Sequence, residues 1–135
     1  MTAKITVFLE ARIDEDEVAA RSAARDKYSG DHWEHPPESG DVQIVGGQSL
    51  MDYPDMDDSN AEHIARHDPA RVLAECAVRR RFIRDCRPFP PVPGMDVKTE
   101  YNQRGASTVY GQALQLMAAA YSAHPDYEQE WALDG

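Results

Sequence analysis

The sequence predicts an α+β fold, with three principal helices and one short helix packed with a small antiparallel β-hairpin or meander. Three observations predict it. Apolar residues recur at three-to-four-residue spacing near both ends of the chain and in its middle. Asp41–Val45 reads as a strand, Gly46-Gly47 as a turn and Gln48–Tyr53 as a returning strand. Asp68-Pro69 and Pro88 start and stop a central helix. The 135 residues suffice for one domain with a real core. Its expected parts are an N-terminal helix over 1–27, a small β region over 28–54, a helix pair over 60–87, a proline-rich and mobile loop over 88–105, and a C-terminal helix with an aromatic tail over 106–135.

The first helix runs from a cap at Thr2 to about Arg25. Ile5, Phe8, Leu9, Ile13, Ala20, Ala23 and Ala24 give it a broken apolar stripe. Asp14-Glu15-Asp16-Glu17 lies within it. Four successive acids point around more than one side of a helix, so they suit a solvated face better than one site. In the β region Trp33 is the large aromatic expected to cover the sheet. His32 and His35 fall on opposite faces of an extended segment. Asp52–Asn60 is an acidic linker that lacks the glycine and terminal glutamate of a calcium loop, and Ser59 or Asn60 caps the short helix after it.

The stretch Asn60–Arg87 divides at Asp68, because the residue before a proline is pushed out of the α region. A short helix covers about Asn60–His67 and a longer one Pro69–Arg87. Val72, Leu73, Cys76, Ile83 and Cys86 form the longer helix's apolar stripe. Cys76 and Cys86 stand about 15 Å apart along a continuous helix, beyond disulfide reach. Arg87–Gly94, RPFPPVPG, is extended and polyproline-like: a stiff connector, or an exposed ligand for a proline-reading groove. Ser107 caps the last helix, whose stripe is Val109, Tyr110, Ala113, Leu114, Met117, Ala120 and Tyr121. Tyr127 and Trp131, four apart, fold back as an aromatic clasp.

The net charge of −10 is uneven. Residues 1–68 carry 6 basic and 16 acidic groups, 69–88 carry 6 and 2, and 89–135 carry 2 and 6. General affinity for nucleic acid or an anionic membrane is not expected. The simplest use of the asymmetry is internal pairing of the arginine helix with the acidic first half, and intersubunit pairing is the alternative. Two cysteines without an export signal point to a reducing, cytoplasmic setting. No apolar run approaches the length of a membrane span.

Two groups of residues are candidate sites. His63 and His67 share a helix face, and that spacing can place two imidazoles on one zinc ion, with His124, Cys76 or an acidic side chain completing the set. HIARH lacks the glutamate of the zinc-peptidase helix, and the plainer reading gives one histidine to the helix junction and the other to solvent. Arg79, Arg80, Arg84 and Arg87 form a basic face that suits an acidic partner or nucleic acid, or simply solvent. No phosphate-cradling glycine loop, Cys-x-x-Cys or Gly-x-Ser-x-Gly is present, and no catalytic residue is assigned. The leading expectation is a non-enzymatic accessory protein that binds a protein partner, with no resident cofactor. A small zinc-binding protein or metal-dependent hydrolase is the first alternative, and an acidic nucleic-acid mimic the second. A homo-oligomer is also open.

HIARHDPARVLAE, with its arginine-rich continuation, resembles the signature of an uncharacterised small-protein family of actinobacteria and their phages. FLEARIDEDEVAA resembles that family's N-terminal helix, FLxARLDEDExxA, and AYSAHPDYEQEW its C-terminal end, LPYxxHPDYxxxW. The three stretches occur in the family's order and cover roughly half the chain. The resemblance implies an actinobacterial or phage origin, hence a host-cytoplasmic setting for a phage-encoded protein. It implies no activity.

Overall fold

Asp68 and Pro69 fix a helix boundary by local chemistry. Pro69 lacks the N–H that a first helical position leaves unpaired, and the Asp68 carboxylate accepts the N–H of Arg71 at 2.8 Å. The second free N–H of that turn, from Ala70, goes to the carbonyl of Asp31 at 2.9 Å. The computed structural model describes residues 2–25, 30–36, 41–44, 48–52 and 57–134. Its elements in order are α1 (Thr2–Arg25), β1 (Trp33–Glu34), β2 (Asp41–Ile44), β3 (Gln48–Asp52), α2 (Asp58–Arg66), α3 (Pro69–Asp85), α4 (Val97–Ala119) and a terminal 3-10 turn (Gln129–Trp131). This is the expected α+β architecture. The Gly46-Gly47 turn lies outside the described residues.

The chain forms two compact units. A central unit comprises Asp14–Val78, and a terminal unit comprises Met1–Ile13 with Arg79–Gly135. Helices α1 and α3 each contribute to both. The division sorts the charge. The central unit carries 16 acidic against 5 basic residues, net −11, whereas the terminal unit carries 8 against 9, net +1.

In the central unit the strands form an antiparallel meander in the order β1-β2-β3. Trp33 pairs with Ile44, and Val42 with Met51, and an irregularity follows Val42. Helix α2 packs on this sheet. Val42, Ala61 and Ala65 are its buried centre, with Trp33 and Ile64 against them. Trp33 is therefore part of the sheet it was expected to cover. Asp68 holds the layers together: its second carboxylate oxygen accepts the Trp33 backbone N–H at 3.1 Å. Helix α2 starts two residues earlier than expected because the Asp57 side chain, rather than Ser59 or Asn60, is the cap.

In the terminal unit Ile5, Phe8, Leu9 and Ile13 of α1, Ile83 of α3, Tyr110, Leu114 and Ala118 of α4, and Trp131 are buried. Tyr110 donates its hydroxyl to the Ile83 carbonyl at 2.7 Å, and burial pushes its phenol above the ordinary value. Cys76 is buried and Cys86 exposed, and no disulfide joins them.

The largest departure from the sequence reading is at α4, which begins ten residues before Ser107. Pro93 and Gly94 occupy the centre of a turn closed by Met95 N–H to the Val92 carbonyl at 3.3 Å, with Gly94 at φ 84. That is the Pro-Gly arrangement of a type II turn. Asp96 follows as the cap, accepting the Thr99 N–H at 3.0 Å and its hydroxyl at 2.6 Å. Residues 97–105, expected to be a mobile loop, are thus the first turns of the helix. The Thr99 bonds hold the Asp96 carboxyl below the usual carboxylate range. Its stabilising contribution is present above the ordinary carboxylate pKa and is lost as pH falls through the depressed folded value. The wild type should therefore lose helical signal at 222 nm on acidification below about pH 4. Asp96→Asn should lose less of it over the same range, and identical titrations would show that this cap does not hold the helix start.

Candidate partner-binding surface

The fold places the three histidine candidates in different units. His63 and His67 belong to the central unit and His124 to the terminal one. His63 and His67 do share a face, with ring centroids 4.3 Å apart. His67 Nδ1 donates to the His63 carbonyl at 2.8 Å, so one nitrogen of the pair serves the end of α2. Among the described residues no group of three or more His, Cys, Asp or Glu could hold a metal ion. His35 is bonded to the Asp41 carbonyl at 2.8 Å and lies 3.4 Å from the Asp58 carboxylate. His32 lies 3.8 Å from that of Asp68.

His124 is part of an aromatic cluster built by the two ends of the chain. The ring of Phe8 meets those of Trp131, His124, Tyr127 and Tyr121 at centroid distances of 5.0, 5.8, 6.1 and 6.3 Å. The clasp of Tyr127 and Trp131 forms, edge to face at 5.6 Å. Arg12 is nearly buried, lies over Phe8 at 5.2 Å, and donates through Nη1 to the His124 ring. His124 Nδ1 also accepts the Asp126 N–H at 3.1 Å. Sequence reasoning passed over Arg12. The signal was there, since Arg12 is four residues after Phe8 and falls on the apolar stripe. A groove of about 500 Å³ opens beside the cluster, lined by Val7, Phe8, Ala11 and Trp131. Its charged rim is matched internally, Lys4 to Glu128 at 3.7 Å and Arg12 to Asp126 at 3.8 Å.

The arginines divide by what they touch. Arg79 donates to the Tyr121 hydroxyl at 2.9 Å and so belongs to the fold of the terminal unit. Arg80 is half-buried. Arg84 bonds Asp85 through two nitrogens at 2.6 and 3.1 Å, and Arg81 approaches the same carboxylate at 3.4 Å. These pairs hold Asp85 below the usual carboxylate range and raise the Arg84 guanidinium. Arg87 is exposed and opens the strap that joins α3 to α4.

The strap is an exposed apolar segment of the terminal unit. Phe89 is 81% exposed, and Val92 and the prolines at 90, 91 and 93 are also exposed. Pro88, Pro90 and Pro91 line a cleft of about 290 Å³ with Ser107 and Tyr110 of α4. Proline fixes φ near −65°, so a segment this rich in it has few conformations to lose on binding. Fixed conformation, an outward phenylalanine and an adjacent cation therefore coincide in one short segment. The sequence marked the prolines, Arg87 and the choice between a stiff connector and an exposed ligand, and the structure leaves Phe89 facing water.

No curated protein and no solved structure matches the chain. A family model described as a family of unknown function (DUF6221) matches residues 2–133. That match spans nearly the whole sequence, and the chain belongs to this family of unknown function.

Proposed function

We propose that this protein is a non-enzymatic accessory protein that binds a protein partner, and that the partner reads the strap from Arg87 to Pro93. The observation that supports this is Phe89, a large apolar side chain 81% exposed on a proline-stiffened segment. Leaving a phenylalanine in water forgoes about 1.5–3 kcal/mol of burial, which a partner pocket would recover. The prolines reduce the ordering cost that normally offsets such a gain. A matching partner has an aromatic-lined groove that takes an extended proline-rich segment and an acidic group for Arg87. The phage or prophage setting implied by the resemblance is part of this reading, with a host protein as the partner. So is the aqueous side of the membrane: no described helix is long and apolar enough to cross one.

The test is capture of a partner from host lysate by the full chain, followed by affinity measurement with purified components. Phe89→Ala should weaken binding at least tenfold, the loss of about 1.4 kcal/mol expected for an aromatic anchor. Arg87→Glu should weaken it as well. A partner that binds both variants as tightly as the wild type would remove the strap from the interface.

A further inference from the structure

Helix α4 has an outward face that solvent alone does not explain. From Gly105 to Ala119 it carries no Asp, Glu, Lys or Arg. A chain with 28% charged residues would place about four in these fifteen positions. Tyr110, Leu114 and Ala118 already supply the helix's buried face. Yet Gly105, Thr108, Val109, Gln112, Leu116 and Ala119 are all exposed, with Val109 at 65% and Leu116 at 63%. Tyr101, one turn before Gly105, is 77% exposed. A helix with two weakly polar faces is ordinarily covered on both.

We infer that this face docks on the same face of a second copy of the chain, antiparallel, about a two-fold axis through Gln112. Three observations favour a copy of itself as the occupant. The terminal unit has a net charge of only +1, so little charge repulsion opposes its self-association, although the whole chain is at −10. The charges of α4 lie at its N-terminal end, at Lys98, Glu100 and Arg104. An antiparallel crossing keeps the two sets apart, whereas a parallel one would oppose like to like. The face is also self-complementary in size. About Gln112, Leu116 meets the partner's smaller Thr108, and Gly105 meets the partner's Ala119, a pair of small residues that lets the axes come close. At the axis each Gln112 amide offers a donor and an acceptor to its symmetry mate, a polar pair of the kind that fixes register.

The helix segment is about 22 Å long. One pair of such faces buries on the order of 600–800 Å² in total, below the standard size for a stable complex. The expected species is therefore a concentration-dependent dimer with a dissociation constant in the micromolar range. Sedimentation equilibrium of the full chain from 1 to 500 μM tests it. Leu116→Lys and Thr108→Glu should each raise the dissociation constant at least tenfold. Both positions are exposed, and circular dichroism will confirm that the helix persists. The double variant T108E/L116K should restore dimerisation, because the antiparallel register sets each new charge against its opposite. Phe89→Ala should leave it unchanged, which separates this surface from the strap. A wild type that stays monomeric to 500 μM, or a dimer indifferent to Leu116→Lys, would overturn the interface. Failure of the double variant to recover would overturn the register.

Discussion

Trp131→Ala should cost the terminal unit about 3–5 kcal/mol, the usual range for deleting a large buried aromatic. Trp131 is 2% exposed and joins the tail to Phe8 of α1, so the deletion opens a cavity and releases the tail together. A typical domain has 5–15 kcal/mol of total stability, which makes this a loss of a fifth or more. Trp131→Phe should cost less than half as much. It keeps a ring beside Phe8, and it removes an indole N–H that is buried without a hydrogen-bond partner among the described residues. Urea denaturation followed at 222 nm will rank the three proteins. A Trp131→Ala variant within about 1 kcal/mol of the wild type would mean that the tail is not part of the core.

Asp68→Ala should destabilise the central unit by about 2–3 kcal/mol. One part is the lost cap of α3, worth about 1–2 kcal/mol. The rest is the partly buried Trp33 N–H, left without its acceptor at roughly 1 kcal/mol. Asp68→Asn is the informative comparison. Its amide retains one carbonyl oxygen, which can serve Arg71 or Trp33 but not both in the present geometry. The order of stability should be wild type, then Asn, then Ala. In a Trp131→Phe background, Trp33 emission should shift to the red in the same order as its environment opens. Equal stability of Asn and Ala would assign the whole effect to the carboxylate charge rather than to the two hydrogen bonds.

Local chemistry made part of this protein legible in one dimension. The Asp68-Pro69 junction, the end of α1 at Arg25, the antiparallel strands and the Tyr127–Trp131 clasp all follow from short-range rules: capping, proline geometry, period-two patterning and i,i+4 spacing. The start of α4 follows from the same rules, since Pro93-Gly94 before Asp96 is a turn followed by a cap. The polar composition of 97–105 masked it, because exposed helix and loop share that composition. The tertiary structure decided what depends on distant contacts. It set Arg12 against His124, 112 residues away, and gave Arg79 to Tyr121. It also settled which apolar residues are covered. Val109 stands on the apolar stripe that the sequence assigns to the last helix, and only the packing of the rest of the chain leaves it facing water. A local pattern names the candidate core positions, and the assembled surface decides which of them are covered.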